Sequence, residues 1–295
     1  MLKIRPARID DIASLKEIWK LSFGDKEKFI DFFYANRFKK EETLLLQTNQ
    51  NISAMLTLMP VRIVTPDFRS VDSVMLYAMA THPAYRNKGF ASRIMEFSDR
   101  YLKLKDKAFS VLVPQGQSLF DFYRRRGYQE AFYIREACFS YEMIENMAID
   151  QSVACTVNPG NPEEYNEFRN HCLQGNLYIA YSNEDIFYQK RLSGWSGADI
   201  YLAKMGDIQG GAVVEKVSPD RILIKELLAP EEYIPDFIRH LSRLLPAKEY
   251  LVRTPAFLGQ NLGGAIRSFG MVKMHKDMDV EICKEGLGYM GLAFD

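Results

Sequence analysis

The chain has 295 residues, of which 47% are apolar and 26% charged, a composition typical of globular proteins and a length that suits two domains. Its 38 Lys and Arg residues balance 38 Asp and Glu residues, which argues against a general attraction to nucleic acid or to an acidic membrane surface. The four cysteines form no CxxC pair, so the sequence indicates neither a zinc site nor a disulfide framework.

The N-terminal segment MLKIRPARIDD lacks the apolar core of a signal peptide, and no apolar run reaches the roughly 18 residues of a membrane span. The cysteine usage fits a reducing compartment. We therefore expect a cytoplasmic protein without a metal, nucleic-acid or membrane partner.

The first half of the chain predicts strands and helices in the order β-α-α-β-β-β-α-β-α-β. A strand at LKIRPA precedes two amphipathic helices, and the polar residues Asn49 to Asn51 indicate a hairpin between the next two strands. A further strand ends at Pro83, before a basic loop. After the next helix and a short apolar strand, SLFDFYRRRGY predicts a helix that ends at Gly127.

The helix after the basic loop is predicted to be amphipathic. Its apolar residues follow one another in steps of three and four, which places them on one face. They are Ile94, Phe97, Tyr101 and Leu104.

The polar segment from Asp150 to Pro162 predicts a linker, after which the pattern repeats. PEEYNEFRNHCLQ predicts a helix, and three strands, a second helix (YIPDFIRHLSRLLP) and a strand (EYLVRTP) follow. IRSFGMVKM predicts a short helix, a glycine and a strand, like the end of the first half. The sequence therefore predicts an α/β (α+β) fold with a mixed, mostly antiparallel central sheet flanked by helices, in two tandem copies of which the second is degenerate.

The basic loop, within THPAYRNKGFASRIMEF, carries residues suited to an anion. A helix N-terminus leaves N–H groups unpaired and carries a partial positive charge, which favours phosphates. Gly89 lets the backbone approach a ligand, Ala91 keeps the next turn small, and Arg86 and Lys88 add charge. The pattern predicts a pyrophosphate held mainly by main-chain N–H groups, and the alternative is a plain β-to-α connection with solvated charges. The second half has no such loop.

Two motifs stand in order, with a helix and a strand between them. The first is Arg86, Gly89 and Ala91, and the second is Tyr123 followed four residues later by the pair Gly127-Tyr128. Together they resemble the GNAT N-acetyltransferase superfamily, whose phosphate loop has the form Arg/Gln-x-x-Gly-x-Gly/Ala. The resemblance covers about residues 1–145.

The tandem arrangement resembles bacterial acetyltransferases of the enhanced-intracellular-survival type. It implies a catalytic domain over residues 1–147 that binds acetyl-CoA and a degenerate GNAT-like domain over residues 148–295 that is structural or shapes the substrate site. Those enzymes carry a third, sterol-carrier-like domain, for which the residues after Met274 leave too little room. In them the terminal carboxylate is the base, which implies a catalytic role for Asp295 here.

The GNAT resemblance implies transfer of an acetyl group from acetyl-CoA to a primary amine by direct attack. It implies backbone donors at Met79, Ala80 and Thr81 for the acetyl end, and Tyr123 as the acid that protonates the leaving thiolate. The implied cofactor-binding residues of the loop and helix are Arg86, Asn87, Lys88, Gly89, Phe90, Ala91 and Ser92.

The resemblance also implies that the region between the first two helices covers the acceptor. Asp25 there can pair with a cationic amine and Phe29 can line the acceptor pocket. Alternatively, Asp25 is the N-cap of the helix that begins at KEKFIDFF, and Phe29 belongs to the core.

Two other functions stay open. A non-catalytic CoA-binding regulatory module would keep the phosphate loop but would have no need for an acid at Tyr123. An aminoacyl transferase of the peptidoglycan-bridge type is also built from two GNAT-like halves, although such enzymes generally lack a clear Arg-x-x-Gly-x-Ala loop. The acceptor, a small-molecule or peptide amine, is left open by the sequence, as are the general base and any homo-oligomer.

Overall fold

The computed structural model describes residues 2–148, 155–276 and 287–294, which divide into two compact units. The first unit comprises residues 2–62, 71–112 and 272–276. The second comprises residues 63–70, 113–148, 155–271 and 287–294. Each unit therefore contains segments from distant parts of the chain.

The first half of the chain forms strands and helices in the predicted order, followed by one further short helix. They are β1 (Leu2–Pro6), α1 (Ile12–Phe23), α2 (Glu27–Asn36), β2 (Thr43–Thr48), β3 (Asn51–Val64), β4 (Ser70–Thr81), α3 (Phe90–Leu104), β5 (Phe109–Leu112), α4 (Gln117–Arg124), β6 (Gln129–Ser140) and α5 (Tyr141–Glu145). Asn49, with φ 57°, turns the chain between β2 and β3, which pair antiparallel and confirm the predicted hairpin.

The second half repeats this order with two differences: an extra strand lies between its first two helices, and no α-helix lies between its last two strands. Its elements are β7 (Cys155–Pro159), α6 (Pro162–Leu173), β8 (Tyr178–Ala180), α7 (Asn183–Ser196), β9 (Ile200–Met205), β10 (Ile208–Ser218), β11 (Arg221–Leu228), α8 (Ile234–Leu244), β12 (Glu249–Pro255) and β13 (Ala265–Met274).

Strand order shows the same repeat. In the first unit the neighbours are β1-β2-β3-β4-β5, and in the second they are β7-β9-β10-β11-β12. The pairs β1/β2 and β2/β3 are antiparallel, as are β7/β9, β9/β10 and β10/β11. The pairs β4/β5 and β11/β12 are parallel, because α3 and α8 supply the crossover that a parallel pair needs. The predicted fold class is confirmed.

Two strands lie apart from their neighbours in sequence. β6 belongs to the second unit, where Ile134 to Ser140 pair antiparallel with β12. β13 begins in the second unit, but residues 272–276 belong to the first. There the His275 N–H donates to the Ala108 carbonyl (2.7 Å). The division of the chain between residues 147 and 148 stays a prediction.

Two predictions near the ends of the second half are wrong. IRSFGMVKM forms no helix, because β13 runs continuously from Ala265 to Met274 and a neighbouring strand, β6, completes its hydrogen bonding. The predicted linker is a strand over Cys155–Pro159, since β9 offers it an antiparallel partner. Residues 150–154 lie outside the described part of the chain.

Helix α7 was not among the predicted elements, although the sequence carries a signal for it. The Ser182 hydroxyl accepts a hydrogen bond from the Asp185 N–H (3.1 Å), as an N-cap does, and Glu184 and Asp185 stand in the first turn. Ser-Asn-Glu-Asp at this point is the local pattern that marks the start of the helix.

The buried face of α3 is rotated relative to the prediction. Ile94 is buried as expected, but Leu104 is 85% exposed at the end of the helix. Ser98 and Leu102 are buried instead, because the face follows steps of four residues from Ile94.

Candidate functional site

Strand β4 continues beyond its pairing with the shorter strand β5. The two strands pair from Ser73 to Met75, opposite Phe109 to Val111, while β4 continues to Thr81. Within this continuation Ala78 has φ 48°, a left-handed conformation that costs an L-residue on the order of 1–2 kcal/mol. A strained residue inside a strand points to a local function. The end of β4 can offer backbone hydrogen bonds to an extended ligand and to a carbonyl beside the kink.

The loop after β4 is held by its own hydrogen bonds. The His82 N–H donates to the Ser53 carbonyl (3.0 Å), and His82 Nδ1 accepts from the Ala84 N–H (3.2 Å). The Tyr85 N–H donates to the His82 carbonyl (2.8 Å), and the Tyr85 hydroxyl accepts from Asn51 Nδ2 (3.1 Å). His82 therefore shapes the loop, and the loop arrives at α3 with a defined conformation.

The start of α3 has the geometry of an anion site. Asn87 and Gly89 have φ of 60° and 72°, conformations that turn N–H groups toward one side, and Gly89 is the N-cap of α3. A Cβ built on Gly89 would meet no protein atom within 4 Å, so there is room beside the backbone for a ligand. Ala91 and Ser92 follow in the first helical turn, which lacks a capping side chain. These features fit the pyrophosphate of a nucleotide.

The two cations of the loop contact it mainly through its backbone. Arg86 Nε donates to the Thr81 carbonyl (3.4 Å), and Lys88 Nζ donates to the Ala84 carbonyl (3.3 Å) and lies over the Tyr85 ring. Both side chains are exposed. Their charge adds to a site that the backbone forms.

Helix α1 contacts the end of β4. The Ser22 hydroxyl donates to the Thr81 carbonyl (3.5 Å), and the Trp19 ring lies 5.8 Å from that of Tyr77, the residue before the kink at Ala78. The C-terminal half of α1 therefore lies beside the part of β4 that continues beyond its pairing with β5.

Asp25 is held at this place by a tryptophan. Trp19 Nε1 donates to Asp25 Oδ2 (2.8 Å), and the Phe29 ring lies edge-on to Trp19 at 6.4 Å. Helix α2 begins at Glu27 with Lys26 as its N-cap, so Asp25 is not the N-cap that the alternative interpretation required. Asp25 and Phe29 are both half-buried. The structure thus brings both predicted acceptor residues to one side chain, Trp19, that contacts β4.

Tyr123 belongs to the second unit and is almost fully buried in α4. Its ring lies edge-on to Phe122 at 5.1 Å and to Tyr128 at 5.7 Å. The Tyr128 N–H donates to the Tyr123 carbonyl (3.2 Å), and Gly127, with φ 83°, ends the helical turn as predicted. Burial raises the pKa of Tyr123 to about 12, and the field of Arg126 opposes that rise. The phenol therefore keeps its proton at neutral pH.

The predicted residues fall into three groups. Met79 to Thr81 and Arg86 to Ser92 form one continuous segment of the first unit, and Asp25 reaches it through Trp19. Tyr123 belongs to the second unit, where its ring contacts those of Phe122 and Tyr128. Asp295 lies outside the described residues, and its role stays a prediction.

Sequence analysis missed the kink at Ala78 and the tryptophan that holds Asp25. An alanine gives no sign of a left-handed φ, so the kink had no local signal. Trp19 is one of the apolar residues at helical spacing in α1. Its six-residue separation from Asp25 across the Gly24 break was the signal available for it.

Comparison with known families identifies the first part of the chain. Residues 3–131 match the family model described as the acetyltransferase (GNAT) domain. This part of the chain is a GNAT acetyltransferase domain. The GNAT domain contains the kinked strand, the loop, the start of α3 and Tyr123.

Solved structures similar to the GNAT-containing chain cover nearly all of it. A GCN5-related N-acetyltransferase from Anabaena variabilis has a TM-score of 0.77 at 16% identity, over 94% of this chain and 73% of that one. A probable N-acyltransferase from Enterococcus faecalis has a TM-score of 0.71 at 12% identity, over 93% of this chain and 73% of that one. Eis1 from Mycobacterium abscessus has a TM-score of 0.66 at 11% identity, over 92% of this chain and 74% of that one. At these identities the likeness shows that the fold is shared.

A search of curated proteins found no match to the chain. Among the described helices, none is long and apolar enough to cross a membrane.

Proposed function

We propose that this protein transfers an acetyl group from acetyl-CoA to a primary amine. The observation that carries the proposal is the kinked end of β4, with Ala78 at φ 48°, running directly into a loop that presents the N-terminus of α3. One continuous segment thus offers backbone donors for a thioester carbonyl at one end and for a pyrophosphate at the other. The GNAT domain match over residues 3–131 supports this use of the segment.

The pyrophosphate of CoA binds to main-chain N–H groups between Asn87 and Ser92. Two features of the loop favour this arrangement: the left-handed φ of Gly89 and the open space where its Cβ would stand. Arg86 and Lys88 contribute charge at the rim, whereas the backbone dipoles at the start of α3 provide most of the attraction.

The amine attacks the thioester carbonyl beside the kink of β4. N–H groups of Met79 to Thr81 stabilise the oxyanion that forms, since donors placed where charge develops lower the barrier most. The acceptor lies on the α1–α2 side, where Asp25 and Phe29 contact Trp19. The amine must lose a proton before or during attack, because a free alkyl ammonium has a pKa of about 10.4.

Tyr123 completes the reaction as the general acid. When the tetrahedral intermediate collapses, the carbon–sulfur bond breaks and the sulfur takes the proton of the phenol. The phenol of Tyr123 holds its proton throughout the neutral pH range, as a group that donates a proton must.

The first test is thermal stabilisation by acetyl-CoA. A ligand at 100 times its Kd stabilises a protein by about 2.7 kcal/mol, which raises the melting temperature measurably. We expect this shift in the wild type and not in Gly89→Glu, whose carboxylate would enter the phosphate position. Gly206→Glu is the matched control, because Gly206 is also exposed with a left-handed φ of 64° and has no protein atom within 4 Å of its Cβ position.

The outcomes separate the functions. No stabilisation of the wild type at saturating acetyl-CoA contradicts the proposal, as does an equal shift in Gly89→Glu. Stabilisation without release of free thiol across a panel of small amines and peptides favours the CoA-binding regulatory module instead.

A further inference from the structure

Three successive arginines end helix α4, and the structure gives them different surroundings. Arg124 pairs with Asp121 (2.6 Å) and Glu130 (2.5 Å) on the surface. Arg125 is exposed to solvent. Arg126 is half-buried. The three arginines look alike in the sequence, but Arg126 does not lie on the solvated face with the other two.

Arg126 folds back onto the helix beside Tyr123. Its guanidinium carbon lies 3.5 Å from the centre of the Phe122 ring, and Nη1 donates to the Phe122 carbonyl (2.9 Å). A guanidinium stacked on a ring face is held by dispersion and by the ring quadrupole. Phe122 in turn meets the Tyr123 ring edge-on at 5.1 Å. Two contacts with Phe122 therefore fix the cation, and the Phe122 ring separates it from the ring of Tyr123.

The proposed reaction creates a negative charge on the phenol oxygen of Tyr123. Donation breaks the O–H bond of Tyr123, forms the S–H bond of CoA and leaves a phenolate in a buried place. Burial opposes that phenolate, as the raised pKa of Tyr123 records, whereas the free thiol that receives the proton has a pKa of about 8.5. The proton transfer is thus uphill, and a positive charge near the phenolate lowers its cost, which is the direction in which Arg126 acts on the pKa of Tyr123.

We propose that Arg126 is a positioning residue that makes Tyr123 an effective acid by stabilising its phenolate during proton donation to the leaving thiolate. The inference rests on the proposed function of Tyr123. A solvent proton, or the proton that the amine releases, then restores the phenol.

The other charges near α4 do not substitute for Arg126. Within the described part of the second unit, the titratable groups that face Tyr123 are Arg126, whose charge lowers the pKa of the phenol, and Tyr128, which precedes β6. Arg124 is paired with both Asp121 and Glu130, and the three groups together carry one net negative charge, which cannot stabilise a phenolate.

The test is a double-mutant cycle between Arg126 and Tyr123. We expect Arg126→Met to lower kcat about 3- to 10-fold, with the KM for acetyl-CoA unchanged, as expected when an acid becomes weaker. In the Tyr123→Phe background the same substitution should have no effect on kcat, because there is no phenol left to assist. Arg126→Lys, which keeps the charge, should recover most of the loss, and Arg125→Met is the matched control without effect.

Three results would overturn the inference. The first is an equal loss of kcat from Arg126→Met in both backgrounds. The second is failure of Arg126→Lys to recover activity. The third is a rise in the Kd for CoA, measured by calorimetry, which assigns Arg126 to phosphate binding. If Arg126→Met does not fold, Arg126→Gln and Arg126→Lys complete the cycle. Unchanged kcat in Tyr123→Phe alone removes the acid role of Tyr123 itself, and so separates that failure from a failure of Arg126.

Discussion

Burial shifts the pKa of two side chains, Tyr123 and His275, in opposite directions, because it penalises whichever form is charged. For Tyr123 the charged form is the phenolate, so the pKa rises to about 12 and the phenol is preserved. For His275 the charged form is the imidazolium, so the pKa falls. The first shift concerns the proposed acid, and the second affects stability.

His275 packs in the first unit without a fixed partner for one ring nitrogen. Nε2 forms a hydrogen bond with the Ser110 hydroxyl (2.8 Å), while Nδ1 and Asp99 Oδ1 face each other at 4.0 Å and both lack a hydrogen-bond partner among the described residues. Burial lowers the pKa of His275, Asp99 opposes the change, and Lys273 and Lys103 add to it. The neutral imidazole is therefore the form that the fold favours.

We expect His275 to make the protein less stable in mild acid. Because its pKa is lower in the folded state than the ordinary value of about 6.5, the unfolded chain binds the proton more tightly. Its contribution is complete above that ordinary value and is lost as the pH falls through the folded pKa. Urea unfolding between pH 7.5 and 5 should show a steeper loss of stability in the wild type than in His275→Gln. Parallel curves would contradict this account.

At the scale of single elements, β4 combines a regular strand with a strained end. Ser73 to Met75 pair with β5 in register, whereas Ala78 adopts φ 48° just beyond the last pair. A conformation that costs an alanine free energy persists where the surroundings require it. The kink thus lies in the part of β4 that continues beyond its pairing with β5, and this part is what the strand contributes to the candidate site.

We expect Ala78→Gly to raise the free energy of unfolding by up to about 1 kcal/mol, because glycine tolerates a left-handed φ at little steric cost. The freer backbone should lower kcat, since the donors are held less firmly. Ala80→Gly is the matched control: Ala80 is buried in the same strand without a positive φ, and its loss should destabilise the protein. Urea unfolding and thiol-release assays measure both effects. Destabilisation by Ala78→Gly as large as that by Ala80→Gly would contradict the strain.

At the scale of the whole molecule, a buried ion pair connects distant parts of the second unit. Arg169 and Glu226 are fully buried, and Arg169 Nε donates to Glu226 Oε1 (2.9 Å). The same guanidinium donates to the carbonyls of Ile179 (2.8 Å) and Met290 (3.1 Å), and Tyr165 donates to Glu226 (2.6 Å). The segment 288–294 is thereby fixed inside the unit, and its residues are buried.

We expect Arg169→Met to destabilise the protein by about 3–5 kcal/mol, because it leaves the Glu226 carboxylate buried without its partner. Adding Glu226→Leu should restore much of that loss, since an apolar pair carries no desolvation penalty. Arg221→Met provides the control: its pair with Glu249 (3.1 Å) is about half exposed, and such pairs contribute roughly 0–1 kcal/mol. Chemical denaturation measures all three. Equal losses from Arg169→Met and Arg221→Met would be inconsistent with this prediction.

The sequence by itself determined the features that depend on neighbouring residues. The periodicity of apolar residues placed α1, α3 and α8, and Gly127 marked the end of the α4 turn. Arg86, Gly89 and Ala91 indicated the anion loop because helix starts, left-handed glycines and small residues act locally. The order of elements followed from the same local signals, and with it the fold class.

Tertiary structure decided the features that join residues far apart. Strand pairing, which depends on hydrogen bonds across more than a hundred residues, placed β6 beside β12. It also turned the expected helix in IRSFGMVKM into β13. Asp25 found its partner in Trp19 rather than in α2, and Arg126 left the basic run to stack on Phe122. The kink at Ala78 belongs here too, since an alanine adopts a left-handed φ only where its surroundings impose it.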